Sequence, residues 1–426
     1  MRCRKRGRLL SALTGLVAGA LALGLEPATG GGTAPSAEAI PPASAGPASF
    51  EACLGDIASA AQARDVGQAV TREHLLGVSQ DPEVLAATQN QAEFVKPIWA
   101  YIDATVTEPR IIEGQRKLQE WATVLEAIER RFGVDRFTLV AFWAVESTYG
   151  TVLDDPGIVR PVIRSLATLA CGDPRRAAYW RDELIAVLQI LARGETTPER
   201  LTGSWAGAMG HTQFMPTVYQ THAVDFDGDG RRDIWTSVPD ALASTAGYLK
   251  TMGWQTGGAW GLEAALPDGF DYALADESTE RSLSEWQHLG VRPARPRPTI
   301  DETARATLIL PAGARGPAFL ILPNFRFILR YNTSLSYGLT VGHLADRLRG
   351  EPALARDWPR GDRVLTSDER RDLQTQLAER GHAVGGIDGK IGPKTRAAVR
   401  AYQSSVGLPP DGYADPDLLA RIKAPR

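Results

Sequence analysis

The chain has 426 residues, 43% of them hydrophobic and 23% charged, with a formal net charge of −3. That length exceeds one ordinary domain, and the composition can bury a sizeable core, which excludes a disordered chain. Near-neutrality argues against nucleic acid as a partner of the whole protein. Three cysteines exclude a disulfide-dense mini-scaffold or a multi-cysteine zinc module.

Residues 1–28 read as a secretory signal. Arg2, Arg4, Lys5, Arg6 and Arg8 precede an apolar run from Leu9 to Leu25, and small residues follow. Such a run barely spans a bilayer, so cleavage, export to the periplasm and no stable membrane insertion are expected. No cysteine closely follows the run, which gives no support for a lipid anchor. Residues 29–49, rich in Pro, Ala, Gly and Ser, read as a flexible tether. Cleavage removes five basic side chains and Glu26, a net of four positive charges, so −3 becomes about −7. Cys53 and Cys171 remain as candidates for one disulfide, the alternative being two buried thiols.

From Ser49 to about Gly253 the pattern is mainly helical. One helix is expected over Ile112–Phe132, ending at Gly133. Arg136 to Glu146 is almost continuously apolar and closes at Gly150, as a core helix does. Asp182–Ala192 and Pro239–Met252 are further amphipathic candidates. A β-rich portion is expected over about 257–330, with strands at Ala306–Leu310 and Ala318–Leu322, and 292–298 reads as a Pro/Arg loop. Leu335–Leu348 returns to helix. Residues 350–364, holding Pro352 and Pro359, read as an interdomain linker. Residues 365–424, with a helix at Thr395–Gln403 and turns at Asp388-Gly389 and Asp411-Gly412, read as a compact three-helix unit.

Glu146 is the sharpest chemical feature. A carboxyl at the rim of an apolar wall loses solvation and can keep a proton near neutrality, as a general acid for a glycosidic oxygen must. An arginine partner is the structural alternative. The segment Gly203–Pro216 is dense in small residues and carries Ser204 and Gln213, suited to close approach and to holding a hydroxyl or amide. His211, with no metal-ligand spacing around it, reads as structural. Asp225, Asp227, Asp229, Arg231 and Asp233 occupy positions 1, 3, 5, 7 and 9 of a calcium-type loop, with Gly230 at position 6. Thr236 stands where a bidentate Glu is usual, and Asp240 can complete the shell. Tyr331-Asn332, ahead of Ser334 and Tyr337, opens the next helix.

Taken in order, Glu146-Ser147, Ser204 to Gly210, Gln213 to Pro216, the Asp225 loop through Trp235, and Tyr331-Asn332 closely resemble the lytic murein transglycosylase B family over residues 50–349. The tail resembles type 1 peptidoglycan-binding domains through Leu373-Gln374, Ile387 to Gly389, Gly392, Thr395, Tyr402-Gln403 and Asp411-Gly412. The resemblance implies a mainly α (α+β) fold, with a lysozyme-like catalytic core, helical and small β-rich additions, and a C-terminal three-helix binding domain. It implies Glu146 as the lone acid/base, with Ser204, Gln213, Tyr248, Tyr331 and Asn332 contacting substrate. No catalytic cofactor is implied, and a structural Ca2+ at the Asp225 loop is. The expected reaction is non-hydrolytic cleavage of peptidoglycan glycan strands, giving 1,6-anhydro-N-acetylmuramic acid ends. The lipid-attachment cysteine of some membrane-bound members is missing. A hydrolytic muramidase and a non-catalytic wall-binding protein stand as alternatives.

Overall fold

The structure, a computed structural model, describes residues 49–88, 96–296 and 301–424. The expected signal and nearly all of the expected tether lie outside the described residues. Helices dominate, gathered round three cores. The largest core surrounds one buried helix, Arg136–Ser147. Its run Leu139–Val145 leaves no polar stripe, so it needs partners on every side. Helices Glu108–Glu120, Val238–Met252 and Leu335–Arg349 supply them. The Asp135 carboxylate starts this helix by accepting from the Thr138 amide at 3.0 Å, a donor the first turn cannot pair internally. A Cys53–Cys171 disulfide, Cα atoms 6.0 Å apart, ties helix Phe50–Gln62 to helix Val162–Gly172.

The single helix expected over Ile112–Phe132 is two, Glu108–Glu120 and Ala122–Phe132. Trp121 separates them at φ −105° and ψ 18°, outside the helical basin. The helices expected at Asp182 and Pro239 begin earlier, at Ala177 and Val238.

Strands β1 (Arg160–Pro161) and β2 (Thr202–Gly203) pair antiparallel, and bridges Gly203↔Met209 and Met209↔Phe214 fold the following loop onto itself. The second core lies against an antiparallel sheet of β3 (Gly261–Ala265), β4 (Arg281–Ser282), β5 (Arg292–Pro293), β6 (Arg305–Ile309) and β7 (Ala318–Ile321), ordered β4-β6-β7-β3-β5. Register sets Leu308 and Leu262 on either side of Leu320, and these three pack with the buried Trp286. The first two residues of the expected Pro/Arg loop form edge strand β5, a position that tolerates Pro293.

Residues 350–364, expected as a linker, are mostly exposed but pinned to the body at a few points. Trp358 is 5% exposed, with its ring centroid 6.1 Å from Phe319 and 6.4 Å from Trp99. The Glu263 carboxylate accepts from the Ala355 and Arg356 amides at 2.6 and 2.8 Å. The tail comprises helices Ser367–Glu379, Pro393–Ser405 and Pro416–Lys423 round Leu373, Leu377, Val399 and Ile422. It rests on the body through Arg315, paired with Asp362 and Asp415, and through Arg396 with Glu277.

Candidate active site

Glu146 is the eleventh residue of a helix whose apolar neighbours bury it to 1% exposure. Its Oε1 accepts from the Tyr337 hydroxyl at 2.5 Å. Burial first, then the Glu146 charge, holds the Tyr337 phenol well above its ordinary pKa, so it stays protonated and donates. Tyr331 is raised in the same way, by burial first and with Glu146 adding to it, while its hydroxyl shares a 2.9 Å bond with Thr245 Oγ1. Rings close the wall: Tyr331 lies 4.5 Å from Phe142, 5.5 Å from Tyr248 and 6.1 Å from Phe214.

The chain reverses straight after the carboxylate. Thr148, Tyr149 and Gly150 are all left-handed, with φ of 50°, 58° and 82°. For the two non-glycine residues this costs on the order of 1 kcal/mol each. Surrounding bonds hold the turn: Arg110 Nη2 donates to Thr148 Oγ1 at 3.2 Å, and the Tyr149 hydroxyl donates to the Arg110 carbonyl at 2.8 Å. Ser147 Oγ donates to the His211 carbonyl at 2.6 Å, which links the helix to the Gly203–Pro216 loop. His211 Nδ1 accepts from Trp143 Nε1 at 3.0 Å, one turn before Glu146. Burial pushes the imidazole down to about 4, so it is neutral near pH 7 and its acceptor nitrogen stays available.

Within that loop Gln213 is buried at φ 54°. Its Nε2 donates to the Gly210 carbonyl at 2.9 Å, and its Oε1 has no partner among the described residues. A buried acceptor that the fold leaves unpaired is uncommon. The Ser204 hydroxyl is committed to the turn, accepting from the Ala206 and Ala208 amides at 3.3 and 3.1 Å. Asn332, buried beside Tyr331, accepts from the Ser334 amide at 2.9 Å and so opens helix Leu335–Arg349. Tyr248 is nearly buried, and that burial raises its phenol. The structure thus gathers Glu146, Tyr248, Tyr331 and the Gln213 loop, and sets Ser204 and Asn332 in the backbone turns that frame them.

Tyr337 and Thr245 are the partners that sequence reasoning left unassigned. Tyr337 was visible only as an aromatic near a helix start. Its pairing crosses 191 residues of chain, and no local pattern encodes that.

The Asp225, Asp227, Asp229 and Asp240 carboxylates each offer an oxygen within 4.8 Å of the others. Asp240 is buried, accepts from the Phe226 and Asp233 amides at 2.8 and 2.9 Å, and is raised chiefly by desolvation. Four hard anionic oxygens at that spacing suit Ca2+, which would relieve their mutual repulsion. Arg231 enters through its backbone, where its amide donates to Asp229 Oδ1 at 2.8 Å.

Comparison with known proteins follows the same outline. Residues 49–346 match the family model described as Transglycosylase SLT domain, and residues 366–422 match a peptidoglycan binding domain model. The chain is 36% identical over 245 residues to membrane-bound lytic murein transglycosylase B of Escherichia coli (strain K12), covering 55% of this chain and 63% of that relative's length. Among solved structures it is similar to SltB3 from Pseudomonas aeruginosa in complex with NAG-anhNAM-pentapeptide. That likeness has 45% identity and a TM-score of 0.83, over 88% of this chain and 100% of that one. It is also similar to the Escherichia coli lytic transglycosylase Slt35 in complex with calcium, at 29% identity and a TM-score of 0.58, over 70% and 92% of the two chains.

Proposed function

The chain belongs to the transglycosylase SLT domain family, and from that premise we propose that it cleaves the β-1,4 bond between N-acetylmuramic acid and N-acetylglucosamine in peptidoglycan without water. The products carry 1,6-anhydro-N-acetylmuramic acid ends. Protonated Glu146 gives its proton to the glycosidic oxygen, and the Tyr337 hydroxyl stabilises the carboxylate left behind. That carboxylate then takes the proton of the muramic acid C6 hydroxyl as the C6 oxygen bonds to C1, which returns Glu146 to its acid form. A nucleophile within the substrate reaches effective concentrations of roughly 10⁵ M or more, so no activated water is needed.

The observation that carries this reading is the 1%-exposed Glu146 held by a phenol inside an aromatic wall. Glycosidases that use two carboxyls set them roughly 5–9.5 Å apart. The groups set against Glu146 include the Tyr337 and Tyr331 phenols. Gln213, through its open Oε1, contacts the sugar with Tyr248 and Tyr331, while Ser204 and Asn332 shape the backbone beside it. The Asp225 loop binds a structural Ca2+ through its four carboxylates and the Arg231 carbonyl, and the ion braces the start of the helix that carries Tyr248. The enzyme works in the periplasm, delivered there by residues 1–28. Among the described residues no helix is long and apolar enough to cross a membrane.

Mass spectrometry of digested sacculi tests the reading, with anhydro-muropeptides as the expected product. Reducing-end muramic acid would identify a hydrolytic muramidase instead. No solubilisation by the wild type would leave a wall-binding protein. Undiminished solubilisation by Glu146→Gln would remove Glu146 from the chemistry.

A further inference from the structure

The tail builds the same turn twice. In the first copy, Gln374 Oε1 accepts from the Gly389 amide at 2.8 Å and its Nε2 donates to Asp388 Oδ1 at 3.1 Å. The Lys390 amide closes the turn on that oxygen at 2.9 Å. In the second copy, Gln403 Oε1 accepts from the Gly412 amide at 2.9 Å and its Nε2 donates to Asp411 Oδ1 at 2.7 Å. The Tyr413 amide closes it at 3.0 Å. In both, Oδ1 is the carboxylate oxygen that the turn uses internally.

The second copy has its partner. Asp411 Oδ2 accepts from the Ala314 amide of the body at 2.9 Å, so the segment Ala312-Gly313-Ala314 sits on the turn. The approach is close: a Cβ on Gly313 would lie 2.5 Å from Asp411 Oδ2 and 2.7 Å from Tyr413 Cβ. The turn therefore holds a short peptide of small residues by one amide donor and an apolar flank. The first copy is solvent-facing. Asp388 is exposed, no other described residue bonds its Oδ2, and Ile387 beside it is 51% exposed, one of four large hydrophobics so exposed among the described residues.

We propose that the Ile387-Asp388-Gly389 turn captures the alanine-rich stem peptide of peptidoglycan as its sister turn captures Ala312-Gly313-Ala314. Asp388 Oδ2 accepts a peptide amide, and Ile387 packs on a methyl group beside it. A short alanine-containing peptide is what the sister turn already holds. Pentapeptide stems are also what a relative at 45% identity is seen with. The inference rests on the peptidoglycan reading above and adds which part of the polymer the tail recognises.

The test uses full-length protein carrying Glu146→Gln, so that walls survive the measurement, and compares co-sedimentation with intact sacculi and with glycan strands stripped of peptide. Ile387→Ser should weaken binding to intact sacculi at least about fivefold, leave binding to stripped strands unchanged and leave the melting temperature unchanged. Asp388→Asn, which keeps the internal acceptor but removes the charge, should weaken it in the same selective way. Free stem pentapeptide in excess should compete for the protein lacking these changes and not for Ile387→Ser. Unchanged binding of a folded Ile387→Ser protein to sacculi would overturn the proposal. Equal loss on stripped strands would overturn it too, because the turn would then read sugar. Anhydro products from the unsubstituted enzyme, assayed in parallel, keep the peptidoglycan reading separate from either result.

Discussion

Tyr337→Phe probes the chemistry by removing one oxygen. The ring stays, packed 6.3 Å from Phe142, and the lost atom is the donor 2.5 Å from Glu146 Oε1. A hydrogen bond to an ionised group contributes about 1.5–3 kcal/mol, and one to a neutral group about 0.5–1.5 kcal/mol. The transition state for glycosidic cleavage develops most of the carboxylate charge, so the differential loss is about 1–2 kcal/mol, or roughly 5–30-fold in kcat. Tyr337 is fully buried behind Glu146, so KM should hardly move. The protonated form of the enzyme should persist to higher pH, carrying the alkaline limb of the pH–rate profile up by about one unit. Anhydro-muropeptide release from sacculi, followed across pH, measures all three quantities. A kcat within twofold of wild type, or an alkaline limb shifted downward, would refute the role given to this phenol.

A Cβ added at Gly114 would lie 2.3 Å from Tyr149 Oη and 2.4 Å from Leu348 Cδ2, whereas one at Gly55 would meet nothing within 4 Å. Both sit in helices, so Gly55→Ala should stabilise by about 0.5–1 kcal/mol and Gly114→Ala should destabilise by about 1–3 kcal/mol. Urea unfolding decides it, and equal effects at the two sites would contradict the packing described. His211 has a folded pKa of about 4, below its unfolded value, so the unfolded chain binds more protons between them. Its contribution is complete above the unfolded pKa and fades as pH falls toward 4, by up to about 3 kcal/mol. Wild type should lose about 2.5 kcal/mol more than His211→Gln between pH 7.5 and 4.5, and parallel losses would remove His211 as the cause. Ca2+ at a hundredfold excess over its dissociation constant should stabilise the protein by about 2.7 kcal/mol. The gain should vanish with chelator or in Asp240→Asn, and a melting temperature indifferent to both would exclude a stabilising ion.

What the sequence displayed and what it concealed divide along the reach of the interactions. The Leu139–Val145 run announces a buried helix because every position is apolar, and the carboxylates of the Asp225 loop announce hard-oxygen geometry because their spacing is local. The break at Trp121 was hidden, since the apolar period crosses it without a Gly or Pro. The same holds for Tyr337, which finds Glu146 only after helix Leu335–Arg349 packs across helix Arg136–Ser147. Ser204 shows the limit of matching by residue type. The resemblance makes its hydroxyl a substrate contact, whereas the structure gives its acceptor capacity to two amides of its own turn.

The pinned stretch between the two family matches bears on how this protein should be cut. Residues 347–365 lie outside both matched segments, and a shortened enzyme designed from those limits would end at 346. Such a truncation would strip Trp358 from between Phe319 and Trp99 and leave the Glu263 carboxylate facing solvent. Loss of a buried tryptophan alone costs about 3–5 kcal/mol, a large part of an ordinary domain's stability. A tail-less enzyme should therefore retain the chain through Val364, which still packs on the main core and precedes the next helix.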